Sequence, residues 1–152
     1  MKLAEALILR ADLKTRAAQL RERLRDNAKV QEGETPSQDP QQLLSEFEEV
    51  AAQTLGLIQQ VNRTNVQTPF DETQTLADAL ARRDVLKLRA ATYRDLIEAA
   101  SFKLQRYGQA EIKSFATVDV RALQKQSDDL SKQLRELDTK IQSLNWTADV
   151  VE

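Results

Sequence analysis

Residues 75–104 read TLADALARRDVLKLRAATYRDLIEAASFKL, and this stretch decides the fold class. It opens with Thr75 followed by Asp78, the capping-box pattern that begins helices. After it, apolar or long-stemmed residues recur at alternating spacings of three and four, as in a helix packed lengthwise on partners. This seam consists of Leu76, Ala79, Arg83, Leu86, Ala90, Tyr93, Ile97, Ala100 and Leu104. The pattern predicts a helix that Gly108 ends.

Three further stretches carry the same period. Asp39 and Pro40 mark the start of one, because an acidic N-cap satisfies early backbone donors and proline presets the first helical turn. The composition of residues 112–118 is compatible with a short extended segment before the last helix. We predict an all-α fold of four long amphipathic helices in an antiparallel bundle or coiled-coil arrangement, forming one domain over residues 1–152. The predicted helices span residues 2–29, 40–65, 75–107 and 119–145.

The amino-acid composition excludes several kinds of catalytic and metal site. The chain contains no cysteine and no histidine. Disulfides, zinc thiolate sites, thiol nucleophiles and histidine bases are therefore excluded. Neighbouring acids such as Asp128 and Asp129 point to different parts of a helix surface and do not form a di-metal site. We expect no enzyme activity, no cofactor and no metal.

The first residues carry no export signal, and no apolar run approaches the ~18 residues that a membrane span needs. We expect a cytoplasmic protein that does not enter membranes.

Charge alternates along the chain. Residues 2–29 contain eight Lys or Arg against four Asp or Glu, whereas residues 30–60 contain six acids and no base. Residues 75–107 are again basic, with seven bases and four acids, and residues 108–152 contain six bases and eight acids. In an up-down bundle every neighbouring helix pair would then be opposite in charge.

Two arginines stand in seam positions. Arg10 and Arg83 would each bury a cation, which costs several kcal/mol unless an oxygen acceptor meets it. One interpretation is a structural polar layer in which Asp12, Asp84 or an acid of a facing helix is the partner. The other is a ligand site.

The ligand interpretation joins two polar groups. A short loop connects the second and third helices, so the end of one should lie near the start of the other. An anion or small-ligand pocket would form there. Its residues would be Asn62, Arg63, Asn65, Arg82, Arg83 and Asp84.

The arginine-rich first helix suggests an alternative. A run of cations can be the electrostatic footprint of a nucleic-acid-binding protein. The run lacks interleaved aromatic residues, and the pI of 5.4 is acidic. Pairing with the acidic second helix is the favoured explanation, and nucleic acid the less favoured one. The run comprises Arg16, Arg21, Arg23, Arg25 and Lys29.

Several segments carry a family resemblance. They are Asn27-Ala28-Lys29-Val30-Gln31-Glu32-Gly33-Glu34, Asn62-Arg63-Thr64-Asn65, Leu80-Ala81-Arg82-Arg83-Asp84-Val85-Leu86, Arg135-Glu136-Leu137-Asp138 and Asn145-Trp146. In these segments, spread over nearly the whole chain, the sequence resembles a family of small uncharacterised bacterial proteins labelled septicolysin-like. The label implies a secreted, membrane-active toxin, which the missing export signal argues against. The resemblance emphasises the first loop, the end of the second helix and the Arg-Arg-Asp turn.

The apolar stripes of the second and third helices look wider than one seam. A thin bundle cannot cover them internally, so we expect a homo-oligomer. The preferred hypothesis is a non-enzymatic, self-associating interaction protein that binds a protein partner or a small anion. A nucleic-acid-associated protein is the alternative, and a septicolysin-type toxin the third and disfavoured one. Trp146 is expected to cap the core.

Overall fold

The described part of the chain contains four helices. The computed structural model describes residues 1–101 and 113–152, and no strand occurs among them. The predicted all-α helical-bundle class is confirmed. The helices are α1 (Leu3–Asp26), α2 (Pro40–Gln67), α3 (Leu76–Ser101) and α4 (Val120–Thr147).

Two predictions concern the stretch between the third and fourth helices. The expected stop of the third helix at Gly108 lies outside the described residues. The suggested extended segment is not a strand where it is described, because residues 113–116 have no regular secondary structure. Ile112, its first residue, also lies outside the described part.

Side-chain caps explain where two helices begin. The Asp39 carboxylate accepts a hydrogen bond from the Gln41 backbone N–H at 3.0 Å, with Pro40 at the first helical position. Asp119 caps α4 in the same way, accepting from the Ala122 N–H at 3.1 Å. Each cap satisfies a backbone donor that has no partner inside its helix.

The end of α1 comes three residues before the predicted Lys29. Asn27 donates its side-chain amide to the Arg23 carbonyl at 2.9 Å and accepts from the Gln38 N–H at 3.0 Å. These two bonds close the helix and tie down the far end of the following loop.

The connection between α2 and α3 is a tight turn built on Asp71. Its carboxylate accepts hydrogen bonds from the backbone N–H groups of Thr73 and Gln74, each at 2.8 Å. The Leu76 N–H then donates to the Thr68 carbonyl at 2.8 Å. The Asp71 carboxylate thus accepts hydrogen bonds from backbone N–H groups that have no backbone acceptor in such a short turn.

Contacts divide the chain into two compact units, residues 1–76 with 142–152, and residues 77–141. In the first unit α1 packs on α2. Met1 and Arg63 line one hollow, and Arg23 and Glu46 line another, so α1 and α2 are antiparallel. The buried apolar residues of this unit are Leu3, Ala4, Ala6, Leu13, Leu20, Leu43, Val50, Leu57, Val61, Phe70 and Leu76.

The two ends of the described chain meet in the first unit. The Leu3 N–H donates to the Ala148 carbonyl at 2.9 Å, and the Val150 N–H donates to the Met1 carbonyl at 3.0 Å. The Val151 N–H donates to the hydroxyl of Thr64, a residue with no exposed surface, at 3.0 Å. We call this arrangement the terminal clasp.

The second unit contains α3 after its first residue and most of α4. Its buried apolar residues follow the predicted seams. Arg83, in the second turn of α3, meets Asp138, in the second half of α4, which is consistent with an antiparallel arrangement of these helices. The buried apolar residues of this unit are Ala79, Leu86, Ala90, Leu130, Leu137 and Ile141.

Candidate functional site

Arg83 is largely buried and paired, as its seam position predicts. Its Nη1 donates to Oδ1 of Asp138 at 3.0 Å, and the two side chains are 21% and 44% exposed. The partner is the acid of a facing helix and not Asp84, which is exposed. The Nε atom of Arg83 is buried without a partner in the described part of the chain. This geometry is that of a polar layer between two helices.

The position of Arg10 differs from the prediction. It was expected to be buried beside Asp12 or another acid, yet it is exposed and forms no ion pair with any described residue. Its seam neighbours Leu13 and Leu20 are buried. The long arginine stem lets the guanidinium leave the seam for water, so no buried charge has to be neutralised.

The other predicted polar residues are mostly at the surface. Asn62 and Arg63 are exposed and Asn65 is half-buried, in the first unit. Arg82 is exposed, in the second unit. The anion pocket expected from both groups stays a prediction.

Sequence reasoning missed Thr64. Its hydroxyl donates to the Gln60 carbonyl at 2.8 Å and accepts from the Val151 N–H. The residue therefore links α2 to the terminal clasp. No local pattern could reveal this, because threonines that bond back to their own helix are common.

A second part of the clasp is an ion pair. Lys2 Nζ lies 2.8 Å from Oδ1 of Asp149 and also donates to the Thr147 carbonyl at 3.1 Å. The hydrogen bond and the charge of Lys2 hold the pKa of Asp149 below its usual value. This exposed pair ties Asp149, just after α4, to Lys2 at the start of α1.

The arginine-rich run of α1 does not form one face. Arg16 and Arg23 line a shallow depression together with Asp12 and Glu46. Arg21 instead lines a groove elsewhere on the helix. Five residues on a helix of 3.6 per turn correspond to a rotation of roughly 140°, which separates Arg16 from Arg21. The basic face expected of a nucleic-acid-binding helix is therefore divided.

The groove between α1 and α2 has a volume of about 740 Å³. Its apolar lining comes from both helices, and its three charged residues are all cations, with no acid among them. This combination of apolar floor and positive charge suits an amphipathic or anionic occupant. The lining consists of Leu7, Arg10, Ala11, Lys14, Ala17, Ala18, Arg21, Thr54 and Ile58.

On α2 and α3 the uncovered apolar side chains form rows. On α2, Leu44, Leu55 and Ile58 are 43%, 59% and 37% exposed. We call these residues, with Ala51, the α2 stripe. They lie beside the buried seam, and Ile58 also lines the groove.

The corresponding residues of α3 are Val85, Leu88 and Leu96, with exposures of 55%, 66% and 41%. They lie on the side of the helix away from the seam formed by Leu86 and Ala90, which is buried. We call these exposed residues, together with Ala81, Thr92 and Ala99, the α3 stripe. Trp146, expected to cap the core, is also exposed, at 57%.

The described residues contain no group of acids able to hold a metal ion. Among them, no helix combines the length and hydropathy needed to cross a membrane.

A family model and a solved structure match most of the chain. Residues 10–150 match the model of DUF6847, described as a family of unknown function. The fold is similar to the crystal structure of a functionally unknown conserved protein from Corynebacterium diphtheriae, with a TM-score of 0.95, 42% sequence identity and 99% of each chain covered. A comparison with curated proteins finds no match. Since the family match spans most of its length, the chain belongs to DUF6847, a family of unknown function.

Proposed function

We propose that this protein is a non-enzymatic helical interaction module that associates with copies of itself in the cytoplasm. The observation that carries the proposal is the pair of uncovered apolar stripes on α2 and α3. Each stripe follows a helical period, and each is separate from the seam that packs its own helix.

Energetics support association. Burying one exposed leucine fully is worth about 1.5–3 kcal/mol, so several per copy can offset the entropy lost on pairing. Single exposed apolar residues are ordinary on protein surfaces, but contiguous stripes mark interaction surfaces. An apolar, periodic surface is the form that helix-on-helix association takes.

We also propose that the protein has no enzymatic activity. Arg83 and Asp138 satisfy one another across two helices, which is a structural arrangement. The groove cations have no acid beside them in its lining, and the Thr54 hydroxyl of that lining donates to the Val50 carbonyl at 2.7 Å. These features fit binding better than bond-making chemistry.

The test is the mass of the protein in solution. Sedimentation or light scattering at high micromolar concentration should give a multiple of 17.2 kDa. Leu55→Glu and Leu88→Glu place a charge in one stripe each, and at least one of them should reduce the mass to that of the monomer.

Ile8→Glu is the matched control, because Ile8 is 55% exposed on α1 and lies in neither stripe. It should leave the mass unchanged. A wild-type protein that is monomeric throughout the concentration range would refute self-association.

A second candidate is a small anion or an acidic protein segment in the groove between α1 and α2. The support is its charge, with three cations and no acid in the lining. Calorimetry with inorganic phosphate, comparing wild type with Lys14→Ala, tests the anion. No heat in either protein would remove this candidate.

The comparisons show a family of unknown function and not the septicolysin-like label. A third role, membrane activity, is what that resemblance implies. Release of a dye from anionic phospholipid vesicles tests it directly. We place this role last, because self-association accounts for the same apolar surface without any lipid.

A further inference from the structure

The α3 stripe follows a heptad pattern. Ala81, Val85, Leu88 and Thr92 are spaced by four, three and four residues, and all are exposed. In heptad terms Val85 and Thr92 occupy position a, while Ala81 and Leu88 occupy position d. A helix with such a seam on the side away from its own partner can form a second coiled coil.

Charges flank this seam asymmetrically. Asp84 precedes Val85 at position g, and Arg89 follows Leu88 at position e. Both are exposed, and neither forms an ion pair with another described residue. Residues at positions e and g determine which helices pair and in which direction.

A parallel pair uses these charges favourably. In that orientation position g of one helix meets position e of the next heptad in its partner, five residues later. Asp84 of each copy would then face Arg89 of the other copy, which gives two attractive pairs related by the two-fold axis.

An antiparallel pair of the same helices is unfavourable. Position e then meets e, and position g meets g. With the same segment 81–92 paired, Arg89 would face Arg82 of the other copy and Asp84 would face Ala91, so the charged contact joins two cations and leaves the acid without a base. Like-charge contacts discriminate between helix orientations more strongly than they change affinity.

We propose that two copies of this chain pair in parallel through the α3 stripe over residues 81–92, with Asp84 of each copy against Arg89 of the other. This inference rests on the proposed self-association and specifies its surface, direction and register. A second copy is the occupant because the stripe is complementary to itself: each helix supplies both the acid and the base that its partner needs.

Asp95 sets the end of the paired segment. It occupies the next position d, where two copies would bring like charges together. The helices therefore diverge after Thr92. The short seam and the small Ala81 make a dimer that dissociates on dilution and is not a permanent one.

Cysteine cross-linking tests the direction. The chain has no cysteine, so Ala81→Cys creates a single thiol. In a parallel pair the two residues at position 81 lie side by side, within reach of a disulfide. In an antiparallel pair centred near Leu88 they would lie roughly 20 Å apart. Oxidised glutathione should link Ala81→Cys into a dimer and leave the exposed control Ser131→Cys monomeric on a non-reducing gel.

Charge exchange tests the register. Asp84→Arg and Arg89→Asp should each weaken dimerisation, on the order of tenfold, by replacing two attractions with two repulsions. The double variant should restore the wild-type dissociation constant. Sedimentation measures all three, and circular dichroism verifies that each remains helical.

A variant that is expected to tighten the dimer serves as the control for misfolding. Asp95→Leu removes the like charges and extends the seam, so it should tighten the dimer by about tenfold or more. A tighter dimer cannot be explained by loss of structure.

The outcomes separate the two proposals. A monomeric wild type refutes self-association altogether. A wild-type dimer in which Ala81→Cys does not cross-link refutes parallel pairing through α3 and leaves self-association standing. Cross-linking without any effect of the charge variants refutes the Asp84–Arg89 register.

Discussion

Replacing Arg83 separates the contribution of its charge from that of its stem. The ion pair with Asp138 is partly exposed, at 21% and 44% for the two side chains. Exposed pairs are worth about 0–1 kcal/mol; the partial burial of Arg83 strengthens this pair, while solvent around Asp138 keeps its contribution within that range. The buried Nε without a partner opposes this contribution, since such a group costs about 1–3 kcal/mol.

Arg83→Met removes both the ion pair and the unpartnered Nε, while keeping most of the stem packing. We expect the free energy of unfolding to change by less than about 1 kcal/mol in either direction. Arg83→Ala also loses the stem and should be less stable than Arg83→Met by about 1–2 kcal/mol. Asp138→Ala leaves a largely buried guanidinium without its acceptor and should cost about 1–2 kcal/mol.

Urea denaturation at neutral pH measures these differences, and a double-mutant cycle isolates the pair. Arg83→Met combined with Asp138→Ala should show a coupling of about 1 kcal/mol. In a melt, 1 kcal/mol corresponds to about 2–4 °C for a protein of this size. If Arg83→Met is as unstable as Arg83→Ala, the charge itself is essential and the polar-layer interpretation is wrong.

The same variants test the ligand interpretation. If Arg83 anchors an anion, phosphate or sulfate should raise the melting temperature of the wild type and not that of Arg83→Met. Equal shifts in both proteins would exclude Arg83 as the anchor.

Three further predictions concern a cap, an ion pair and a charged groove. Asp39→Ala should lower stability by about 1 kcal/mol in urea denaturation, because the Gln41 N–H loses its acceptor, and an unchanged midpoint would contradict this. Lys2 lowers the pKa of Asp149, so the ion pair stabilises the fold above the usual carboxyl pKa, and this stabilisation is lost as the pH falls through the lowered pKa. The melting temperature of the wild type should therefore exceed that of Asp149→Asn at pH 7 but not at pH 2. A difference that stays constant with pH would disprove this linkage. Duplex DNA should bind only weakly, because the basic run is divided, and tight binding with a steep salt dependence that Arg21→Ala relieves would revive the nucleic-acid hypothesis.

Much of the fold was predictable because local rules decide it. The N-cap at Asp39 and the seam residues Leu86 and Leu137 follow from spacing and side-chain chemistry alone. Spacing and side-chain chemistry predict the ends of the helices less accurately than their cores. The second helix extends to Gln67 instead of the predicted Asn65, since the Asp71 turn leaves room for two more residues.

Side-chain positions were harder to predict than helices. Arg10 and Arg83 have the same heptad phase, yet only Arg83 has an acid opposite it. Finding Asp138 required the relative register of α3 and α4, which no single helix encodes. For the same reason, spacing alone could not show that Trp146 faces outward or that Val151 binds Thr64.

The terminal clasp affects how the protein can fold during synthesis. Its hydrogen bonds join residues far apart in the chain, 145 positions for Lys2 with Thr147 and 87 for Thr64 with Val151, and contacts of such separation form late. The α1–α2 hairpin can form as soon as Gln67 has left the ribosome, but its Thr64 hydroxyl waits for Val151. The first unit therefore closes only after the whole second unit has been synthesised, and until then the ends of its helices lack their hydrogen-bond partners from residues 148–151.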